Sequence, residues 1–418
     1  MDASDVILTI GVMLAAGLVA QPIADLLRLP RMLLLLAAGA IVGPSVADWI
    51  DVPLGSTGIN VLLTLGVSFI LFHGGLQLSA RVLSQVAVGL GMLVIPGVII
   101  TAVVVGTVAY AVFDVPYSMG LLIGAALAPT DPAILIPLFE RIKIRPKISQ
   151  TIIAESALND PTGAVLTLTF LGVVMSGESS AAEPVVDFVK ELGISTGLGI
   201  GFGLLLALAV SSRRVGVWGE SAGIAVLAVV SLGFFSVDSA GGSGYLGAFI
   251  AGLIVGNMDV LRLGMHGGHE RDMRALVANI SDVMVIFVFV TLGANLPFDT
   301  IAEEWAPALV VLAVLLFVAR PLAVLACLLP DRRGRWTREE IVFLCWARET
   351  GVVPAALAGI IVAEGVEDAD LVVVTVALAI IVTLTLQAST KRWLAQRLGL
   401  IEHPDRLVER TRTSPGPV

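Results

Sequence analysis

The chain has 418 residues, of which 57% are hydrophobic and 14% are charged, and its mean hydropathy is +0.96. Soluble proteins carry roughly 25% Asp, Glu, Lys and Arg, so this composition all but excludes a water-soluble enzyme. The formal net charge of −9 comes from 25 basic and 34 acidic residues, which are segregated along the chain.

Thirteen apolar stretches are long enough to cross a hydrocarbon core about 30 Å thick. We interpret all of them as helices, because lipid leaves the backbone of such a stretch no other way to satisfy its hydrogen bonds. The predicted spans cover roughly residues 5–20, 31–47, 58–77, 83–113, 117–139, 148–176, 185–211, 217–236, 243–257, 276–295, 299–329, 338–363 and 369–397. The expected fold class is an all-α polytopic membrane protein.

The connections that follow odd-numbered spans are basic, whereas the other connections are acidic. Of the 25 basic residues, all except Lys190, Arg320 and Arg348 belong to the first group. Because positive loops stay in the cytoplasm, we expect the N-terminus outside the cell (inner) membrane and the C-terminus in the cytoplasm. The N-terminal segment MDASDVILTI lacks a basic region, so we expect a retained first span rather than a cleaved signal peptide.

The fifth predicted span is interrupted in its middle by the sequence GAALAPTDPAILIP. Pro129 and Pro132 flank Thr130 and Asp131, and Pro137 follows. Interior prolines remove helix hydrogen bonds and clash with the preceding turn, so we predict unwound backbone at Thr130 and Asp131. Such backbone is tolerated at membrane depth only where it is buried or lines a cavity. Its hard oxygen atoms suit a small cation; the alternative is a structural kink with a hydrogen-bonded aspartate.

The sixth predicted span contains a second polar group in the sequence TIIAESALNDPTGAV. Its polar residues lie on one broad helix face, because they are spaced i, i+1, i+4 and i+5. They are Glu155, Ser156, Asn159 and Asp160. Two carboxylates on adjacent turns repel, so at least one must be neutral or paired with a cation from another span. Arg348 and Arg320 are the deep candidates, and a purely structural polar cluster is the alternative.

The twelfth predicted span carries Arg348 and Glu349, followed by Gly351 and Pro354. This glycine and proline predict a second break. Spans four to six and eleven to thirteen cross the membrane in opposite senses, and the broken span is the middle member of each triplet. Interrupted spans at corresponding places of two halves are typical of a transporter binding site, so the expected fold contains inverted repeats with two broken crossing helices.

These motifs resemble the NhaP-type sodium/proton antiporters of the cation/proton antiporter superfamily. The resemblance rests on Thr130–Asp131–Pro132, on the ES-x-x-ND motif from Glu155 to Asp160, on the buried Arg348 and on the ARPL sequence that begins at Ala319. It implies that Asp160, Asp131, Ser156 and Thr130 bind the cation, with Glu155, Asn159 and Arg348 in a neighbouring polar network. Members usually have glycine after the buried arginine, where this chain has Glu349, and we expect Glu349 to join this network. An asparagine at position 159 is associated in the family with electroneutral exchange.

The resemblance also implies a homodimer and a division of the chain. Residues 1–82 would form dimerisation-domain helices 1–3, residues 83–176 core helices 4–6, residues 177–212 linking helix 7, residues 213–298 dimerisation-domain helices 8–10, residues 299–397 core helices 11–13 and residues 398–418 a cytoplasmic tail.

The predicted function is exchange of a monovalent cation for H⁺ across the membrane. A proton and a cation would compete for the Asp160 carboxylate, with Na⁺ as the expected cation and K⁺ as the alternative. A sodium-coupled organic anion symporter of related fold is the main rival function. The sequence contains no phosphate-binding loop, HExxH motif or nucleic-acid-binding patch. We therefore expect no cofactor, no enzymatic activity and no nucleic-acid partner. The expected partners are membrane lipid and the transported ions.

Overall fold

The computed structural model describes residues 3–80, 89–131, 144–177, 182–212, 216–332 and 334–401. Helices account for most of this part of the chain. They are α1 (Ala3–Leu27), α2 (Arg31–Val42), α3 (Thr57–Gln77), α4 (Gly89–Phe113), α5 (Tyr117–Ala126), α6 (Pro146–Ser176), α7 (Ala182–Val210), α8 (Ala222–Ser239), α9 (Gly244–Gly256), α10 (Gly267–Ala294), α11 (Phe298–Leu328), α12 (Arg338–Trp346), α13 (Val352–Ala363) and α14 (Ala369–Arg397).

The helices confirm the all-α membrane class. Within the described residues, nine helices are long and apolar enough to cross a bilayer, and four shorter apolar helices accompany them. The shorter helices are α2, α5, α9 and α13. Each of the thirteen predicted spans therefore contains an apolar helix, while the number of full crossings stays a prediction. Pro132, Pro137 and the start of the fourth predicted span lie outside the described residues.

Two groups of helices pack mainly among themselves. In one group, α9 packs on α3 and α7, while α10 packs on α2 and α3. In the other, α4 packs on α5 and α11, α5 packs on α6, and α14 packs on α11 and α13. α13 also contacts α3 and α10, so it connects the two groups. The predicted division into dimerisation and core domains remains a prediction.

The contact between α9 and α3 depends on a residue without a side chain. A Cβ atom at Gly252 would overlap the main-chain carbonyl of Phe72. The two backbones therefore approach more closely than any larger residue permits, which is the usual role of small residues in helix packing within membranes.

Large apolar side chains cover the outer surface of the molecule. Leu18 and Leu26 of α1 are 77% and 80% exposed, and Phe235 of α8 is 68% exposed. Such surfaces are unfavourable in water and suit a hydrocarbon environment. The buried charged side chains, such as Glu155 and Arg320, lie instead in the interior of the molecule.

Two helices contain a π-helical turn. The turn at Leu315–Ala319 lies within α11, and the turn at Thr383–Gln387 lies within α14. Arg320 follows directly after the first turn. Single π turns are rare and occur frequently at functional sites, so these two turns mark the helix segments that approach the polar interior.

Candidate functional site

The first chain break lies at the end of α5. This helix ends at Ala126, and Thr130 and Asp131 are not helical, so the unwinding predicted from the prolines is observed on the described side of the break. Gly163 of α6 permits close packing there, because a Cβ atom on it would lie 2.5 Å from Cγ of Pro129. The unwound segment therefore lies directly against α6.

Three of the predicted polar residues form one hydrogen-bonded group at this contact. The Thr130 hydroxyl lies 2.9 Å from the Ser156 hydroxyl and accepts a hydrogen bond of 2.8 Å from the Asn159 side-chain amide. The backbone N–H of Thr130 donates to the Asn159 side-chain oxygen over 3.1 Å. Asn159 thus uses both of its polar atoms to hold the unwound segment against α6.

The two predicted aspartates are both buried beside this group. Asp160 is 8% exposed and Asp131 is 5% exposed. The Asp160 carboxylate lies within electrostatic reach of Asp131 and of the Thr130 backbone N–H. Within the described residues, Oδ1 of Asp160 has no hydrogen-bond partner although it is buried. A buried carboxylate oxygen needs a proton, a donor or a cation, so this atom is a candidate ligand.

The second chain break lies opposite the first. α12 ends at Trp346 and α13 begins at Val352, as Gly351 and Pro354 predicted. The backbone N–H of Val352 donates to Oδ2 of Asp131 over 3.3 Å, and the Asp131 N–H donates to the Glu349 carbonyl over 3.0 Å. A Cβ atom at Gly351 would overlap the Asp131 carboxylate. The two breaks therefore meet at Asp131.

The structure distinguishes the two arginines that could pair with Glu155. Arg320, and not Arg348, forms the ion pair, through two guanidinium nitrogens that contact both carboxylate oxygens; Nη2 and Oε2 lie 3.0 Å apart. Arg320 also donates to the Leu344 carbonyl over 3.0 Å. Of the two candidate arginines, Arg320 on α11 therefore reaches this face of α6, where it is 4% exposed.

Arg348 instead closes the end of α5. Its Nη2 donates to the carbonyls of Leu127 and Ala128 over 2.7 Å and 2.8 Å. The last carbonyls of a helix have no partner within the helix and carry the negative end of its dipole. Arg348, which is 2% exposed, therefore stabilises the C-terminal end of α5.

Sequence reasoning missed Lys391. This residue of α14 is fully buried and forms an ion pair with Glu349, which is also fully buried. The basic connections predict a cytoplasmic position for Lys391, and they do not predict that its side chain is buried. We expected the Glu349 carboxylate in the network around Arg348, whereas the structure directs this carboxylate to α14. The signal available in the sequence was the i, i+4, i+8 spacing of Thr383, Gln387 and Lys391, which indicates one polar helix face.

Comparisons with a family model and with individual proteins give matches over most of the chain. The family model described as "Sodium/hydrogen exchanger, transmembrane" matches residues 10–397. The chain is 30% identical over 423 residues to "K(+)/H(+) antiporter NhaP2" of Shewanella sp. (strain MR-4), which covers 97% of this chain and 69% of that protein. It is 29% identical over 377 residues to "Na(+)/H(+) antiporter 1" of Methanocaldococcus jannaschii, with 86% and 84% coverage.

A solved structure is similar over nearly the whole chain. The sodium proton antiporter MjNhaP1 from Methanocaldococcus jannaschii at pH 8 matches with a TM-score of 0.81 and 27% sequence identity. The match covers 93% of this chain and 97% of that one. Identity at this level, with this coverage, indicates shared helix order and not only shared helix content.

Proposed function

Because this chain belongs to the sodium/hydrogen exchanger family, we infer that it is a multi-pass membrane transporter that exchanges a monovalent cation for a proton. The antiporter resemblance stated from the sequence is thereby confirmed. The relatives named above are antiporters for Na⁺ or K⁺, and they give no support to sodium-coupled symport of an organic anion. Na⁺ is the proposed substrate, with K⁺ as the alternative.

The proposed cation site consists of Asp160, Asp131, Ser156 and Thr130. The observation that carries it is the Asp160 carboxylate, which is buried within electrostatic range of Asp131 while its Oδ1 has no hydrogen-bond partner in the described part of the chain. Two hydroxyl oxygens lie in the adjoining group. Carboxylate and hydroxyl oxygens are hard ligands that suit a small cation, and broken helices near the membrane centre are where transporters bind ions.

Exchange follows from competition for one charge. A cation binds only the ionised Asp160, whereas a proton neutralises the same group, so the two ligands cannot occupy it together. Either ligand reduces the charge of the two neighbouring carboxylates. An unoccupied pair of buried carboxylates costs several kcal/mol of desolvation, which opposes movement of the empty site. Coupling therefore needs no ATP, and rocking of one helix group against the other would alternate the access.

Asn159 supports one-for-one stoichiometry. Its side chain is held at both polar atoms by Thr130, and an amide does not titrate. The position next to Asp160 therefore contributes hydrogen bonding without a second exchangeable proton. We propose electroneutral exchange on this basis.

The neighbouring buried charges would keep the site in place while its own charge changes. Glu155 is paired with Arg320, Glu349 is paired with Lys391, and Arg348 binds helix carbonyls. These contacts surround the crossing without using the Asp160 carboxylate. We assign Glu155, Asn159, Arg348 and Glu349 to this supporting network.

The remaining proposals concern assembly and orientation. The exposed apolar surface of α1 suits either lipid or a second copy, and we propose a homodimer through the helix group that contains α1, α2, α3 and α10. The other group, with the two chain breaks, would be the moving core. The segregated charges of the connections support an outside N-terminus and a cytoplasmic C-terminus in the inner membrane.

The test is a proteoliposome assay with an imposed pH gradient, to which NaCl, KCl and LiCl are added separately. We expect at least one cation to dissipate the gradient without any organic substrate. Asp160→Asn should abolish this exchange and leave the helix content and detergent melting temperature close to wild type. Asp238→Asn is the matched control, because Asp238 is exposed at the end of α8. Wild-type exchange in Asp160→Asn would refute the site.

A further inference from the structure

α14 directs three fully buried polar side chains at the second chain break. They are Thr383, Gln387 and Lys391. The Thr383 hydroxyl accepts from the Thr350 N–H over 3.1 Å, and the Gln387 amide donates to the Trp346 carbonyl over 2.8 Å. Lys391 completes the series by its ion pair with Glu349. All three contacts are made to residues 346–350, so one face of α14 holds the whole break.

The same chain break also holds Asp131, through main-chain groups of residues 349 and 352. The Glu349 carbonyl accepts the Asp131 N–H, and the next N–H beyond Gly351, that of Val352, donates to Oδ2 of Asp131. Glu349 therefore connects two elements: its carboxylate is bound to α14 and its main-chain carbonyl is bound to the first break. A displacement of Glu349 along or away from α14 must displace the groups that orient the Asp131 carboxylate.

Stability alone does not explain an ion pair at this place. Burying two charges is expensive, and well-packed apolar residues of similar size are often as stabilising or more so. In some proteins, however, buried ionic groups specify one arrangement of the elements that carry them. The fully buried pair on α14 is thus suited to fixing the position of the break rather than to adding stability.

We propose that Glu349 and Lys391 are positioning residues, whose ion pair fixes the second chain break so that its backbone holds Asp131 in the geometry that binds the transported cation. This inference rests on the proposed exchange at Asp160 and Asp131. Neither side chain contacts the cation in this arrangement. Their effect is exerted through the Glu349 carbonyl and the Val352 N–H.

The experiment compares the double variant Glu349→Gln/Lys391→Met with wild type in the proteoliposome exchange assay. Both charges are removed together, so no unpaired charge is left buried. We expect the cation concentration at half-maximal exchange to rise roughly 10-fold or more, as is typical when a group that orients a metal ligand is lost, with a smaller change in maximal rate. Lys391→Arg, which keeps the cation, should retain an affinity near that of wild type.

Glu340→Gln is the matched control. Glu340 is also a buried carboxylate on α12 paired with a lysine, Lys147, at 2.6 Å, and it makes no contact with Asp131 among the described residues. It should leave the cation affinity unchanged. This control distinguishes the loss of any buried ion pair from the loss of the pair that positions Asp131.

An unchanged half-maximal concentration in a folded Glu349→Gln/Lys391→Met protein would overturn the inference while leaving the exchange function intact. Absence of exchange in the wild type with every cation would instead refute the proposed function. If the double variant does not fold, Glu349→Asp serves in its place, because it keeps the charge and shortens the side chain by one methylene. Raised half-maximal concentration in that variant supports the inference, and an unchanged value overturns it.

Discussion

The pairing of Glu155 with Arg320 leads to a double-mutant cycle that separates two buried arginines. Arg320→Met removes the guanidinium and leaves the Glu155 carboxylate, which is 3% exposed, without its charged partner. Arg348→Met removes a guanidinium of similar burial, but the structure shows it bound to helix carbonyls. Glu155→Leu should therefore rescue the first variant more strongly than the second.

The magnitude follows from what each substitution leaves behind. Breaking a buried ion pair by removal of one partner costs about 3–5 kcal/mol, largely because the other charge stays buried. The hydrogen bonds from Arg320 to the Leu344 and Ala347 carbonyls are lost in the single and the double variant alike. Glu155→Leu should thus recover about 3 kcal/mol in the Arg320→Met background. In the Arg348→Met background the coupling should be smaller, because Arg348 interacts with Glu155 through charge alone and forms no hydrogen bond with it among the described residues.

The assay is thermal unfolding of the purified variants in one detergent, at one pH and one heating rate, followed by tryptophan fluorescence. A kcal/mol shifts the melting temperature by roughly 2–4 °C in domains of 150–250 residues and by less in longer chains. We therefore expect the rescue of Arg320→Met to amount to roughly 3–10 °C. Stronger rescue of Arg348→Met than of Arg320→Met by Glu155→Leu would refute the assignment of the pair.

Two further predictions concern the crossing itself. Asn159→Asp introduces a titratable carboxylate beside Asp160, so exchange should become electrogenic. The exchange rate should then respond to an imposed membrane potential, and a rate that does not respond would contradict the role given to Asn159. Gly351→Ala places a methyl group where the Asp131 carboxylate lies, so cation-dependent exchange should fall at least roughly 10-fold. The control Gly365→Ala, at an open turn outside the crossing, should affect folding alone. Full exchange in Gly351→Ala would show that the two breaks are not in contact.

Most of the fold could be predicted because lipid imposes simple requirements on sequence. Apolar runs locate the helices, and Pro129 locates the end of regular structure after α5 without any knowledge of tertiary contacts. The grouping of Ser156, Asn159 and Asp160 follows from helix periodicity alone. These are local properties, so a single chain contains enough information to state them.

The pairing of the buried charges could not be predicted in the same way. Glu155 and Arg320 are 165 residues apart in sequence, and either of two deep arginines satisfies the requirement for a cation. The burial of Lys391 was not predicted, because its neighbours Arg392 and Arg397 are typical of an exposed helix end. Helix packing decides which side chains at the end of a helix are buried. The distribution of charges along the chain does not show this packing.

The π turns of α11 and α14 bear on how these two helices aim their cations. A π turn holds one residue more than an α turn, and one residue corresponds to about 100° of rotation around the helix axis. Arg320 and Lys391 both come after such a turn. Deletion of one residue at either turn would rotate the cation that follows it by about 100° around the helix axis, away from its carboxylate. The extra residue, as much as the charge, is what brings each cation to its carboxylate.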